Sequence, residues 1–140
     1  MWQVYNEKNW SISDVNSGNY AAFVYLIEFE STFYIGVKQV YKGIKDAKRI
    51  RDDSKESNWV TYTSSSRTVN EMIGNDEPYR KSVLYCFPTV NQAVVVEATL
   101  IGLMGSRSDC LNKAIMCKAR LPKDNGNTFT IIQELIEVLS

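Results

Sequence analysis

A chain of 140 residues and 16.0 kDa has the size of one domain with one hydrophobic core and leaves no room for a second. Its 44% hydrophobic and 23% charged residues exclude a disordered or collagen-like chain. Sixteen Lys/Arg balance sixteen Asp/Glu, so net charge selects no partner, but the lack of histidine excludes any mechanism that uses the chain's own imidazole. A general base must be a carboxylate, a lysine, a tyrosine or a bound water.

The N-terminus, Met1-Trp2-Gln3-Val4-Tyr5-Asn6-Glu7, has neither the basic start nor the apolar centre of a secretory signal. Residues 20–29 (Y-A-A-F-V-Y-L-I-E-F) and 32–40 (T-F-Y-I-G-V-K-Q-V) are rich in aromatic and β-branched residues and are separated only by Glu30-Ser31. This pattern predicts a β-hairpin. Eight residues lie between Tyr25 and Tyr34, and an even-numbered loop then puts both rings on one face.

Residues 41–57 are charged, and the run I-K-D-A-K-R-I-R over 44–51 predicts a short basic helix. Residues 58–66 (N-W-V-T-Y-T-S-S-S) read as a polar loop whose last serines cap a helix over 67–73, stopped at Gly74-Asn75. A third strand is expected over 79–87, ended by Pro88. Thr89-Val90-Asn91-Gln92 matches a capping box that opens a helix running through Met104 to Gly105. Asn127 or Thr128 starts a final amphipathic helix over 131–139. Three strands and the flanking helices predict an α+β domain, a small antiparallel three-stranded sheet with helices packed on it.

The stretch 82–106 carries one charge, Glu97, but Tyr85, Pro88, Thr89, Asn91, Gln92 and Thr99 make it too polar for a membrane span. The expected location is the cytoplasm. Cys86, Cys110 and Cys117 cannot all pair within one chain and read as reduced, structural thiols. Charge is unevenly spread: residues 31–55 and 107–123 each carry a net +4, while both chain ends are acidic. If the two basic segments meet they form a patch that can hold phosphates through counterion release; if they do not, they are solvated loops. Within the second, Arg107, Lys113, Lys118, Arg120 and Lys123 have the same two readings.

Glu97 lies in the apolar run A-V-V-V-E-A-T-L-I and at helical spacing shares a face with Ala93, Val94, Leu100 and Ile101. A carboxylate there is costly unless it is paired, hydrogen-bonded or bound to a metal. Gly36 marks either a bulge or a place where another group approaches the backbone closely. Trp59 either anchors its loop or stacks on a base. Ser64 and Ser65 serve as helix caps or as phosphate ligands.

Phe23-Val24-Tyr25, Tyr34-Ile35-Gly36, Lys38, the basic stretch to Lys55, Trp59-Val60-Thr61-Tyr62-Thr63-Ser64-Ser65 and the lone helical Glu97, in this order, resemble the GIY-YIG nuclease superfamily. Within it the chain is most similar to small phage-type endonucleases, over about residues 20–115. The resemblance implies that Tyr25 and Tyr34 line a catalytic site and that one of them helps to activate the attacking water. It implies that Glu97 binds a single divalent cation, Mg²⁺ or Mn²⁺, beside the scissile phosphate. A basic residue after Y-I-G contacts the phosphate, for which Lys38, Arg49 and Arg51 are the candidates. Tyr62 stands in for the histidine that many members carry, and Asn112 corresponds to the supporting asparagine near the domain's end. Phe23 replaces the first motif's glycine, and neither arginine lies at the family's short distance from Tyr34.

The function expected on this basis is metal-dependent hydrolysis of DNA phosphodiesters by a phage-encoded endonuclease, placed in the host cytoplasm. The chain has no room for the separate DNA-reading domain that homing members append, so specificity would come from a homodimer, from DNA structure or from the domain's own loops. Two rivals remain open: an inactive nucleic-acid-binding module of the same fold, and a phage factor that binds a host protein.

Overall fold

The aromatic and β-branched segments pair as their composition predicts. The computed structural model describes residues 1–115 and 117–140. In chain order its elements are β1 (Trp2–Val4), α1 (Ile12–Val15), β2 (Ala22–Glu28), β3 (Phe33–Gln39), a 3-10 turn (Ala47–Arg49), α2 (Arg67–Gly74), β4 (Arg80–Phe87), α3 (Val90–Met104) and α4 (Asn127–Leu139). The α+β class holds, but the sheet has four strands in the order β1-β4-β2-β3 rather than three. β1 runs parallel to β4, so the sheet is mixed and not purely antiparallel. The extra strand is only three residues long, too short for alternation to announce it. It forms because Trp2 buries its ring, 4% exposed, against Phe23 and Tyr25.

Other elements depart from the sequence in instructive ways. The basic run over 44–51 yields one 3-10 turn instead of a helix. Asp46 caps Lys48 N–H, and Ala47 N–H and Lys45 C=O bond across to Pro88 and Val90; a run this short cannot outcompete those partners. Thr89 does cap α3, accepting from Gln92 N–H at 3.1 Å, but the Gln92 side chain donates to Thr128 on α4 at 3.0 Å rather than completing the capping box. α4 is likewise started from outside, by the Asp124 carboxylate accepting from the Thr128 amide and hydroxyl.

The sheet separates two cores. On one face Val24, Leu26, Ile35 and Leu84 meet Ala93, Val96, Leu100 and Met104 of α3 and Ile131 and Leu135 of α4. On the other Phe23, Tyr25 and Ile27 meet Trp2, Trp59, Val69 and Val40. Each fully buried Val, Leu or Ile of the first set contributes about 1.5–3 kcal/mol by leaving water. Among the described residues no helix is long and apolar enough to cross a membrane. Cys86 is buried, which pushes its thiol up to about 12, whereas Cys110 is half-buried and Cys117 exposed; all three are free thiols, and burial explains only the first.

Candidate active site

The β2–β3 register sets the site. Tyr25 pairs with Gly36, Ile27 with Tyr34, and Phe23 with Lys38. Directly paired residues share a face, so Tyr34, Gly36 and Lys38 line up on the aromatic face beside Tyr25, as the hairpin spacing predicts. The Tyr25 and Tyr34 ring centroids are 6.3 Å apart. A β-bulge lies at Tyr25: Val24 pairs with Tyr85 but Tyr25 with Val83, leaving Leu84 as the extra residue on β4. Such a bulge increases local twist and re-aims the side chain beside it.

Gly36 is needed because the Tyr25 ring lies over it. A Cβ at this position would collide with Tyr25 Cζ and Oη, so here the glycine permits close approach. Crossing Gly36 carries the phenol from the central strand toward β3, the free edge of the sheet.

Glu97 reaches the same edge from the other side. The outward-facing amides of β3 are taken in turn by different partners. Phe33 N–H bonds Asp109 C=O at 2.9 Å. Ile35 N–H bonds Asn112 Oδ1 at 2.9 Å, while Asn112 Nδ2 returns a bond to Ile35 C=O at 2.8 Å. The next outward amide, Val37, is directed at the Glu97 carboxylate. The helix that supplies Glu97 packs on the aliphatic face, yet its carboxylate lies close enough to Tyr25 for its charge to act on the phenol. Asn112 thus behaves as a backbone mimic that extends the sheet and steadies the strand carrying Tyr34 and Gly36.

Electrostatics follow from burial. Glu97 is pushed up to about 7 by desolvation, with the Val37 amide pulling against it. Tyr25, 1% exposed, is held far above the ordinary phenol value by burial first and by Tyr62, Tyr34 and Glu97 after it; the Ser64 hydroxyl acts in the opposite sense. Tyr25 is therefore a neutral phenol in this state. Lys38 is lowered by burial, and its Nζ stands 4.0 Å from the centroid of the Tyr62 ring, a cation–π contact. Tyr62 in turn meets Tyr25 edge-on at 6.2 Å.

The loop that brings Tyr62 is built tightly. Ser64 is buried and has φ of 100°, a left-handed conformation that costs a non-glycine residue of order 1–3 kcal/mol and gathers at functional sites. Its hydroxyl accepts from Ser66 N–H at 2.8 Å, and its carbonyl accepts from Asn70 Nδ2 at 3.1 Å. Ser66 caps α2 through Val69 N–H. Ser65, between them, is exposed. Trp59 is 3% exposed, donates from Nε1 to Glu56 at 2.7 Å and accepts from Trp2 Nε1 at its carbonyl; it is a loop anchor, not a stacking platform. Phe23, the replacement for the motif glycine, fills the space between Trp2 and Trp59.

Tyr25, Tyr34, Gly36, Lys38, Tyr62, Ser64 and Glu97 thus come together, with Asn112 behind them. Arg49 and Arg51 stand on the exposed turn after β3. Arg51 donates to the carbonyls of Lys48 and Ile50, and among the described residues neither arginine bonds to the tyrosines or to Glu97. Lys38 is the basic group inside the cluster. The second basic segment touches the first along β3, at the Phe33–Cys110 bridge and the Asn112–Ile35 bonds, through residues that carry no charge. Sequence reasoning missed Trp2 and Lys81, both packed on the site's loop; the available signal was a lysine inside the strand pattern Y-R-K-S-V-L-Y-C-F.

Residues 2–110 match the family model described as "Putative endonuclease segE, GIY-YIG domain". The chain is also 33% identical over 98 residues to Intron-associated endonuclease 2 of Enterobacteria phage T4, covering 69% of this chain and 34% of that protein. It therefore spans about a third of that relative's length. No solved structure matches the chain. The motif order, the shared edge of tyrosines and glutamate, and the match over most of its length establish that the chain belongs to the GIY-YIG endonuclease family.

Proposed function

We propose that this protein is a metal-dependent DNA endonuclease, phage-encoded and acting in the host cytoplasm. The observation that carries the reading is the convergence of Tyr25 and Glu97 on one sheet edge across Gly36, in a chain of this family.

The residues suit a hard divalent cation. Among the described residues no group of three acidic, cysteine or histidine side chains could cage a metal. Mg²⁺ does not need one, since it keeps several waters and is held by one or two carboxylates plus substrate phosphates. Glu97 would hold it; a carboxylate raised by burial gains from a cation what it loses by leaving water. When bound, the ion supplies charge neutralisation at the phosphate and a more acidic water.

The chain's own groups do the rest. Lys38, seated over the Tyr62 ring, neutralises a phosphate oxygen. Tyr25, a neutral phenol beside Ser64, orients the attacking water through its phenol oxygen. Tyr34, half-buried at the same edge, is open to solvent and to the substrate backbone. Ser65 and the basic residues of segments 31–55 and 107–123 provide contacts to the DNA backbone. Asn112 keeps β3 in place while the substrate binds.

Supercoiled plasmid incubated with the protein and Mg²⁺ or Mn²⁺ is expected to be nicked or linearised, and the Glu97→Ala variant is expected to leave it intact. Uncut plasmid with measurable binding at low salt, where phosphate contacts are strongest, supports the inactive binding module instead. No binding at low salt removes the nucleic-acid reading altogether.

A further inference from the structure

Lys81 is a buried cation without a counter-ion. It is the second residue of β4, opposite Ile27 on the aromatic face, and is 3% exposed. Among the described residues no carboxylate pairs with it. A buried ammonium is costly unless its protons are met, and here they are met by the loop that carries Tyr62. Nζ donates to Tyr62 C=O at 2.9 Å and to Val60 C=O at 3.4 Å. It also sits 4.6 Å from the centroid of the Trp2 ring, a face with which a cation interacts favourably. Burial lowers its affinity for the proton. Trp2 closes the arrangement by donating from Nε1 to Trp59 C=O at 2.6 Å.

Packing alone does not account for a lysine at this place. An apolar side chain of similar volume would fill the space without the cost of desolvating a charge. What the apolar chain could not do is hold two carbonyls of an irregular loop. Those carbonyls belong to residues 60 and 62, and the ring of Tyr62 is the one wedged between Tyr25 and Lys38.

We propose that Lys81 is a positioning residue of the active site: seated on Trp2, it holds the backbone of residues 60–62 so that the Tyr62 ring stands between Tyr25 and Lys38. β1, which supplies Trp2, is thereby part of the catalytic apparatus. The proposal rests on the nuclease reading for its consequence in catalysis, but not for its geometry.

The test has two arms. In the first, NMR follows the ε-methylene protons of Lys38, which the Tyr62 ring current moves upfield in the native protein. Lys81→Met is expected to return them toward the value of a free lysine, while Lys81→Arg, which keeps charge and donors, retains most of the shift. If Lys81→Met does not fold, Lys81→Gln, with a donor for one carbonyl, is expected to give an intermediate shift. An unchanged Lys38 signal in a folded Met or Gln variant overturns the proposal. In the second arm, Lys81→Met is expected to lower kcat for plasmid nicking about 10–100-fold, as misplacement of a site group does, with DNA affinity within about twofold and with rescue by Lys81→Arg. Loss of affinity in step with kcat overturns the positioning role. Should the unsubstituted protein cut no DNA, the nuclease reading fails, and the Lys38 signal still decides whether Lys81 places Tyr62.

Discussion

On one face of the sheet Val24, Leu26, Ile35 and Leu84 meet the long helices α3 and α4; on the other, Phe23, Tyr25, Tyr34 and Trp2 meet loops and the two-turn helix α2. The first face is mostly aliphatic and closed by regular elements whose backbone groups satisfy one another. The second is aromatic, holds the buried Ser64 and Lys81, includes the left-handed Ser64 and satisfies polar groups one at a time. One face buries mainly apolar area, its buried Gln92 and Thr128 satisfying each other between α3 and α4, and the other accepts strain and desolvation to set tyrosines and a lysine beside the sheet edge. Glu97 joins the two, because it rides on the helix of the aliphatic face and presents its carboxylate at the edge of the aromatic one.

Breaking that junction is expected to have the largest effect. Glu97→Gln should reduce plasmid cleavage by about 10³-fold, the upper range for removing one preorganised charged group, while the thermal midpoint stays at or above that of the unsubstituted protein. A variant that unfolds with its activity loss would show that Glu97 serves the aliphatic face instead. Next comes Gly36→Ala, whose Cβ would displace the Tyr25 ring. About 10²-fold loss of cleavage is expected from a shift of this kind, with about 1–3 kcal/mol of destabilisation from overpacking, read by urea unfolding.

The aliphatic face should respond in the opposite way. Leu100, 0% exposed, is expected to cost about 2–5 kcal/mol on substitution by alanine, yet kcat measured well below the new midpoint should hold within about twofold. A large kcat change in folded Leu100→Ala would mean that the faces are coupled through α3. Last comes the pH dependence of stability. Glu97 stands at about 7 in the folded chain against 4.5 for the ordinary group, so folding disfavours its charged form. Its contribution is full below pH of about 4.5 and is lost as pH rises through about 7. Urea midpoints of the unsubstituted protein, taken relative to Glu97→Gln, should therefore fall across that window, and added Mg²⁺ should diminish the fall.

Sequence alone determined what depends on neighbours along the chain. Alternating and β-branched runs specified β2, β3 and β4, Ser66 and Thr89 specified where α2 and α3 begin, and the spacing of Tyr25 and Tyr34 specified their common face, because side-chain direction in a strand is a local property. The motif order also marked Tyr62, Glu97 and Asn112 as belonging to one site. Tertiary structure decided what depends on distant partners: the pairing of Trp2–Val4 with β4, the collapse of the basic run into a single turn, and the part that Asn112 plays along the edge of β3. It also decided that Lys38 is the cation within the cluster and that Lys81 is buried beneath it. A lysine reads as solvent-exposed from its chemistry, and only the three-dimensional arrangement of carbonyls and an indole face around its ammonium makes burial the lower-energy state.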